Sequence, residues 1–570
     1  MLLRLLFVVV SALLCVFGLT PVVVMLATAA RDFGAPFVHE LSDPATRQAW
    51  LNSVLLSAAV TLIAVPVGAS LAWLLERTDL GVRSSPFAST AGESSEWLVA
   101  ALTLPLAIPP YLLAMAWALL GNGRNGLINR WLGHAWIDLY GLDGTIIVLA
   151  TTAYPFAFVA VRAALMRADP SLEEAARLAG ASTFRVVRDV TWPLMMPAAA
   201  AAAGLVFVFS MASFGVPYLM GSGAEPPVYV MTTRIFRFTA LGGEGMLARA
   251  AALAGLLLVT ALIAQLLLAR LGQRHTVVQV RGKVARPQRI ALGHWRRPLR
   301  FAVAAFIGII VVVPVVVIAA TSFQSTFAPD ARWTPMHWQN VWSRDETLRA
   351  FGHSVILAVA AAGIVSVFGL LFARMAGPPG PRRTSFIGRA FSSLATLPHA
   401  VPGTVLAIGL ILTFTKEFRL IIFERITFVL FLPGTLALLC IAYAAKYLAF
   451  GVRGARAAMD QVDASLEESA RLSGASTTGA LRDIVWPLIS PAVRASFVVV
   501  ALPCLSELTM SVLLFGAQTE TAGTLLFELQ SYADPPAASV VAVVLMLIAL
   551  MLHALIHGAV GRLFAPSEDR

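Results

Sequence analysis

DPSLEEAARLAGASTFRVVRDVTWPLMMPA, residues 169–198, occurs a second time as DASLEESARLSGASTTGALRDIVWPLISPA at residues 463–492. The copies start 294 residues apart, and about 19 of 30 positions are identical, far above chance for segments of this composition. A weaker pair at nearly the same spacing is TLPLAIPP at residues 103–110 and TLPHAVPG at residues 396–403. A repeat at a fixed spacing indicates that the chain consists of two homologous halves fused head to tail.

The composition excludes a water-soluble protein. Of the 570 residues, 58% are hydrophobic and 13% are charged, whereas soluble domains are about 45–50% apolar and 25% charged. Lipid can solvate this much apolar surface, because a helix of about 20 apolar residues crosses the hydrocarbon core with its internal backbone groups paired. The long apolar runs are therefore interpreted as membrane spans.

Twelve apolar stretches are long enough to cross a bilayer. The predicted fold is all-α and integral to the membrane, with about twelve transmembrane helices in two six-helix repeats. The first stretch is longer than the apolar core of a signal peptide and is expected to be a retained span. The stretches centre on residues 2–29, 50–75, 97–120, 144–166, 196–220, 246–269, 301–322, 351–373, 390–415, 426–448, 490–514 and 535–560.

The basic residues indicate the orientation of these spans. With the amino terminus in the cytoplasm, roughly 26 Lys and Arg fall in cytoplasmic segments against about 12 outside. The net charge of +11 is spread over short segments between spans, which argues for membrane lipid and against nucleic acid as a partner. Predicted domains are residues 1–270, a basic cytoplasmic linker at 271–300, and residues 301–570. Lipid anchoring by this linker is compatible with its linking role.

The repeated segments carry signals for two short helices. Ser171 followed by Glu174 predicts a capping box, and Gly180 predicts a left-handed end to the first helix. Trp192 suits the lipid interface, and Pro193 is expected to break the second helix before the next span. The corresponding residues of the second copy are Ser465, Glu468, Gly474, Trp486 and Pro487.

Because six spans separate the two copies, both lie on one side of the membrane and the repeat is parallel, unlike the inverted repeats of many secondary transporters. Each copy is expected to project into the cytoplasm as a docking surface. The alternative is an amphipathic helix lying on lipid, but the helix starts with acidic residues, whereas interfacial helices are usually rich in Lys and Arg.

These segments resemble the EAA loop of membrane subunits of ABC importers that use a binding protein. The first copy has EAA at residues 174–176, glycine at 180 and VTWP at 190–193. The second has ESA at residues 468–470, glycine at 474 and IVWP at 484–487. Serine replaces the first alanine of the second copy, and tryptophan replaces the usual leucine before proline in both.

The resemblance implies a type I ABC importer fold, with each loop docked as a coupling helix on one of two ATPase subunits. It also implies a periplasmic binding protein as partner and an inner-membrane location. No cofactor is expected on this chain, since ATP and Mg belong to the ATPase subunits. Residues expected at the ATPase contacts are Glu173, Glu174, Ala175, Ala176, Gly180, Ala181, Ser182, Glu467, Glu468, Ser469, Ala470, Gly474, Ala475 and Ser476.

The sequence contains no motif of an enzyme. A GxxxxGK[ST] phosphate loop is absent, as are HExxH and GxSxG. Cys15, Cys440 and Cys504 lie in apolar stretches without CxxC or Cys/His spacing, so neither a disulfide framework nor a metal site is expected. We therefore expect a pore-forming subunit without catalytic residues, and a membrane enzyme or assembly scaffold is the less favoured interpretation.

Three residues are candidates for the solute path. Glu507 lies within the predicted eleventh span, where an ionisable residue is costly and so is a functional candidate. Ser213 is its counterpart in the first half. His399 occupies the position that Leu106 has in the other copy of the repeat. Both Glu507 and His399 have an alternative role as hydrogen-bonded packing residues. The proline pair 109–110, with prolines 398 and 402, is expected to break helices that border the path.

The chain is most similar to fused permeases that move ferric iron, whose relatives carry thiamine, polyamines or aminoethylphosphonate. FGVPYLMG at 214–221, VMTTRIF at 230–236 and FELQSYADP at 527–535 carry this resemblance. An ion-coupled secondary transporter is the alternative of another class, although it normally needs paired acidic residues in the membrane. Residues 122–142 and 332–349, with tryptophans at 333, 338 and 342, are long enough to meet a binding protein or to anchor at the interface.

Overall fold

A computed structural model describes residues 18–31, 36–81, 96–242, 245–273, 289–328, 330–375, 401–414, 418–422, 426–430, 432–459, 462–532 and 534–564. The described part is dominated by helices, as the apolar runs predict, because a helix pairs its backbone polar groups internally. In residues 18–273 the α-helices are Thr20–Arg31, Pro36–Ser42, Pro44–Arg77, Glu96–Thr103, Pro110–Gly121, Leu127–Leu132, Leu142–Arg167, Ser171–Leu178, Thr183–Val186, Trp192–Ala212, Met231–Leu241 and Met246–Gln273.

The second half repeats this pattern of long helices joined by short ones. Its α-helices are Arg296–Ile307, Val313–Thr321, Met336–Trp342, Asp345–Met375, Gly403–Phe414, Leu436–Met459, Ala464–Leu472, Thr477–Ala480, Trp486–Leu505, Ser511–Leu514, Ala522–Ser531 and Pro535–Phe564. Short 3-10 turns cover Asp79–Gly81, Leu104–Leu106 and Gly293–Trp295, and π turns cover Val187–Thr191, Pro217–Gly221, Gly308–Val312 and Leu481–Val485.

The predicted spans agree with the helices. Within the described residues, nine helices are long and apolar enough to cross a membrane, and a tenth span is formed if the bent pair Trp97–Leu106 and Pro110–Gly121 counts as one. That pair is bent by 88°, which confirms the predicted break at prolines 109 and 110. The remaining predicted spans, 2–29 and 390–415, are described only in part, as the apolar helices Thr20–Ala30 and Gly403–Phe414.

The predicted start of the tenth span differs from the structure. The tenth span was expected from residue 426, but Phe418–Ile422 and Ile426–Leu430 pair as antiparallel strands, and the span begins at Leu436. The sequence ITFVL at 426–430 is rich in the β-branched and aromatic residues that favour strands. A short apolar run of this kind cannot be assigned to helix or strand from periodicity alone.

The chain divides into two compact units. Unit 1 consists of Met1–Pro44, Arg234–Leu258 and Thr321–Arg570, and unit 2 of Ala45–Thr233 and Val259–Ala320. The first described helix of each half therefore belongs to the unit built mainly from the other half. The predicted domain boundaries at residues 270 and 300 describe the repeat in sequence, whereas these units describe the packing.

Glycines allow pairs of spans to approach closely within each unit. In unit 2, a Cβ at Gly68 would lie 2.4 Å from the carbonyl oxygen of Tyr154. In unit 1, a Cβ at Gly369 would lie 2.4 Å from the carbonyl carbon of Gly451. Small residues at such crossings let helix backbones pack closely where no hydrophobic force drives spans together. The second and fourth spans of each half are joined in this way.

Candidate functional site

The first loop, residues 169–193, forms the helix–turn–helix that its sequence predicts. Ser171–Leu178 is followed by Gly180 at φ +85° and by the helix Thr183–Val186. The second loop, residues 463–487, is built in the same way, with Ala464–Leu472, Gly474 at φ +92° and Thr477–Ala480. The left-handed glycine that was expected in each loop is confirmed.

The predicted capping boxes were wrong. The side chain of Asp169 accepts a hydrogen bond from the backbone N–H of Ser171 at 2.9 Å, and Asp463 does the same for Ser465 at 2.9 Å. The aspartate carboxylates fill this role because a negative charge at a helix start also interacts favourably with the helix dipole. The same hydrogen bonds lower the pKa of Asp169 and Asp463.

The expected helix break at Pro193 was also wrong. Residues Thr183–Ala212 form one continuous helical run, in which the N–H of Trp192 bonds to the carbonyl of Val187 within a π turn. The second loop has the same bond, from Trp486 to Leu481. A proline normally clashes with the carbonyl four residues earlier, and the wider π turn lets the helix continue into the span.

The tip of each loop is exposed and partly apolar. Leu178 and Leu472, which occupy equivalent positions in the repeat, are each 90% exposed, and Phe184 is 74% exposed. Of the residues expected to contact an ATPase, those exposed in the structure are Ala175, Gly180, Ser182, Glu468, Ser469, Gly474, Ala475 and Ser476. Glu174, Ala176, Ala181 and Ala470 are half-buried. The exposed leucines were not identified from the sequence, where each is one more apolar residue in a helix.

Glu173 has a different environment, because it is buried inside unit 2. Its carboxylate lies 3.0 Å from Nε of Arg77, and the two side chains are 5% and 2% exposed. Thr191 donates its hydroxyl to the same carboxylate at 3.1 Å. Arg77 also donates to the carbonyl of Leu165 at 3.1 Å. One guanidinium thus joins the end of the second span, the end of the fourth span and the first loop.

Glu467 has the equivalent partner in unit 1. Arg374 donates to both of its carboxylate oxygens, at 2.7 and 2.5 Å, and Arg471 contacts the same carboxylate at 2.5 Å. The Arg374 and Glu467 side chains are 27% and 17% exposed. Hydrogen bonds from Arg374 lower the pKa of Glu467. This contribution to stability is therefore present above the ordinary glutamate pKa and is lost as the pH falls through the lowered value.

Glu507 is buried in unit 1 and is part of a polar cluster. Its carboxylate lies 2.6 Å from Nζ of Lys446 and accepts from the N–H of Met510 at 3.0 Å. Ser511 donates to the Glu507 carbonyl at 2.5 Å and lies 2.5 Å from the hydroxyl of Tyr443. Sequence reasoning missed Lys446, although a single lysine in an apolar run is a recognisable signal. The pairing is what the packing interpretation of Glu507 predicts.

Ser213 and His399 are the other two candidates for the solute path. Ser213 lies at the end of the helix Trp192–Ala212 in unit 2, where its carbonyl accepts from Thr232 at 2.7 Å. Ser213 and Glu507 fall in different units, and no common site is assigned to them. His399 lies outside the described residues.

Unit 1 contains a cavity of about 290 Å³. Phe236, Phe515, Phe527 and Glu528 are among its lining residues. The rings of Phe236 and Phe527 meet edge to face, with centroids 5.9 Å apart. Two of the three stretches that carry the subfamily resemblance, residues 230–236 and 527–535, contribute to this lining. Burial, with the charges of Glu520 and Glu346, raises the pKa of Glu528.

The sequence of the chain matches a known family of membrane proteins in both halves. The profile of the family described as binding-protein-dependent transport system inner membrane component matches residues 91–274 and 366–568. The chain belongs to this family. The two matches fall in the two halves, and each contains one of the exposed loops. The protein is thus an ABC transporter permease with two copies of the family module.

The permease is similar to curated transport proteins. It is 26% identical over 74% of its length to the ferric transport system permease protein FbpB of Actinobacillus pleuropneumoniae, with a match that spans 59% of that protein. It is 25% identical over 90% of its length to the Fe(3+)-transport system permease protein FbpB 2 of Haemophilus influenzae, covering 89% of it. The molybdenum transport system permease protein ModB of Escherichia coli is 32% identical over 31% of the chain and 71% of ModB.

Replacing Gly180 of the permease by alanine tests the left-handed turn of the first loop. A Cβ there would meet nothing within 4 Å, so the expected cost of about 1–2 kcal/mol comes from the positive φ alone. Thermal unfolding of the purified protein should shift to lower temperature. The control is Gly352→Ala, where a Cβ also meets nothing within 4 Å and no positive φ is present. Equal shifts for both variants would contradict the assignment.

Proposed function

We propose that this permease is the translocating subunit of an ATP-driven importer and that its two loops dock on two ATPase subunits. ATP and Mg would bind those subunits and not this chain. The observation that carries the proposal is the pair of exposed leucines, Leu178 and Leu472, at equivalent tips. Docking on a partner would bury an apolar side chain at the same place in both copies.

Charge changes in the loops test the docking. With the chain and its ATPase subunit expressed together, Leu178→Arg combined with Leu472→Arg should reduce the ATPase recovered with the permease by about tenfold or more, because truncating a buried anchor residue typically costs over 1 kcal/mol. The same loss is expected for Glu174→Lys with Glu468→Lys. The control is Trp131→Arg, which is 86% exposed and lies outside both loops. Full ATPase recovery by both double variants would overturn the proposal.

We infer that the loops and the linker at 271–300 lie in the cytoplasm and that the protein resides in the inner membrane with a cytoplasmic amino terminus. The distribution of Lys and Arg supports this orientation. Accessibility labelling of single cysteines placed at exposed positions 178 and 472 tests it in a cysteine-free background. Both positions should be protected in intact cells and react after permeabilisation.

The solute we propose first is ferric iron, delivered by a periplasmic binding protein. The support is the similarity to two ferric permeases, one of them over 90% of this chain. The test is uptake of radioactive iron by cells that express the complete transporter, compared with cells in which this gene is deleted. Equal iron uptake in the two strains would reject this solute.

An organic cation, such as thiamine or a polyamine, is the second candidate. The cavity of unit 1 favours it, since three phenylalanines and one carboxylate are the groups that bind ammonium ions. Among the described residues, no group of three or more His, Cys, Asp or Glu is placed to hold a metal ion. Competition between radioactive iron and excess thiamine or spermidine during uptake separates the two candidates.

A further inference from the structure

Two arginines connect the docking loops to spans that are not their neighbours in sequence. We propose that Arg77 and Arg374 are positioning residues that transmit movement of each loop to the second span of the same half. This inference rests on the proposed function, since a load reaches the loops only when an ATPase is bound there. Arg77 ends the helix Pro44–Arg77, and Arg374 lies in the last turn of Asp345–Met375.

The covalent chain alone does not make this connection. The first loop directly continues the fourth span, Leu142–Arg167, and runs directly into the fifth, Thr183–Ala212. Its contact with the second span includes the buried Arg77–Glu173 ion pair. A force on the loop therefore reaches the fourth and fifth spans through the backbone, and the second span through this ion pair.

The first link, the ion pair of Arg77 and Glu173, is supported by further hydrogen bonds to both side chains. Arg77 donates hydrogen bonds to the Glu173 carboxylate and to the carbonyl of Leu165. Thr191, in the π turn, donates its hydroxyl to the same carboxylate. The backbone of Arg77 is also fixed, since its carbonyl accepts from the N–H of Ile290 at 2.9 Å. A neighbouring ion pair, Glu76 with Arg162 at 2.7 Å, joins the second and fourth spans directly.

The second link is the ion pair of Arg374 and Glu467. It also joins the end of the second span to the loop of its half, but the residues around it differ. Arg374 forms a two-pronged pair with Glu467, the most specific geometry available to arginine and a carboxylate. Val485 stands in the place of Thr191 and has no hydroxyl, whereas Arg471 contacts Glu467 at 2.5 Å as its counterpart Arg177 contacts Glu173 at 4.0 Å. The link between second span and loop is thus present in both halves although its surroundings differ. A residue pair that only filled space would not need to keep its charges in both places.

The second link is suited to an experiment because its side chains are partly exposed. The variants are Arg374→Ala, Glu467→Gln and the exchange Arg374→Glu with Glu467→Arg. The matched control is Arg453→Ala, an exposed arginine of the helix Leu436–Met459. Each is purified as the complete transporter, placed in lipid vesicles with saturating binding protein, and assayed for solute transported per ATP hydrolysed.

The inference predicts that Arg374→Ala and Glu467→Gln transport roughly three- to thirtyfold less solute per ATP, the range expected when a coupling contact is lost, and that Arg374→Ala keeps the bound ATPase. The exchange variant, Arg374→Glu with Glu467→Arg, should recover most of the wild-type ratio of solute to ATP. Arg453→Ala should leave this ratio unchanged. An unaltered ratio in Arg374→Ala, or an exchange no better than the single variants, would overturn the inference. If the wild-type chain recovered no ATPase at all, the proposed function would fail instead.

Where Arg374→Ala gives too little protein, Arg374→Lys provides the second measurement. Lysine keeps the positive charge but cannot form the two-pronged pair. An intermediate ratio of solute to ATP supports the geometric role of Arg374. A wild-type ratio shows that charge alone suffices and overturns that role.

Discussion

Replacing Gly369 by alanine is expected to reduce the yield of folded permease sharply. The new Cβ would lie 2.4 Å from the carbonyl carbon and 2.5 Å from the oxygen of Gly451. Both are backbone atoms, which cannot rotate away as a side chain can. Overpacking of this kind costs about 1–3 kcal/mol and sometimes more.

The same crossing is tight from the other side. A Cβ at Gly451 would lie 2.5 Å from the carbonyl oxygen of Val365, so Gly451→Ala should have a similar effect. The control is Gly363→Ala in the same helix, where a Cβ meets nothing within 4 Å and alanine favours helix formation. Size-exclusion profiles and thermal unfolding in detergent measure the outcome. A Gly369→Ala protein as stable as Gly363→Ala would show that the helices do not cross here.

The fold was largely predictable because lipid imposes a simple rule on the chain. A span must be about 20 apolar residues long and helical, so counting such runs located the spans. The prolines at 109 and 110 also act locally, by removing donors and fixing φ, and the bend they predict is present. Glycine is the residue that adopts a left-handed φ without strain, which made Gly180 and Gly474 predictable as turn residues.

Contacts between distant segments were not predictable in this way. Glu173 and Glu174 are adjacent acidic residues, and nothing in the local sequence shows that the first is buried against Arg77 while the second stays half-exposed. That distinction depends on where the second span ends relative to the loop, which is a property of the packed unit. The strands Phe418–Ile422 and Ile426–Leu430 were missed for a related reason, since a short and mostly apolar run fits a strand or a helix equally well.

The second large effect is expected at the buried pair of Lys446 and Glu507. Lys446→Met removes the partner that lies 2.6 Å from the Glu507 carboxylate and leaves a buried charge without compensation. Breaking such a pair typically costs about 3–5 kcal/mol. We expect a marked fall in the thermal stability of the purified protein, and a similar fall for Glu507→Met, which also leaves the N–H of Met510 without its carboxylate partner.

The double variant, Lys446→Met with Glu507→Met, separates structure from transport. Replacing both members of a buried ion pair by apolar residues of similar size is often neutral or stabilising, so the double variant should regain most of the lost stability. If the pair only holds helices together, uptake should return along with stability. If Glu507 contacts a cationic solute, the double variant should fold but remain inactive, because the carboxylate that attracts the cation is still missing. Stability that stays as low as in the single variants would instead show that the two charges do not compensate each other.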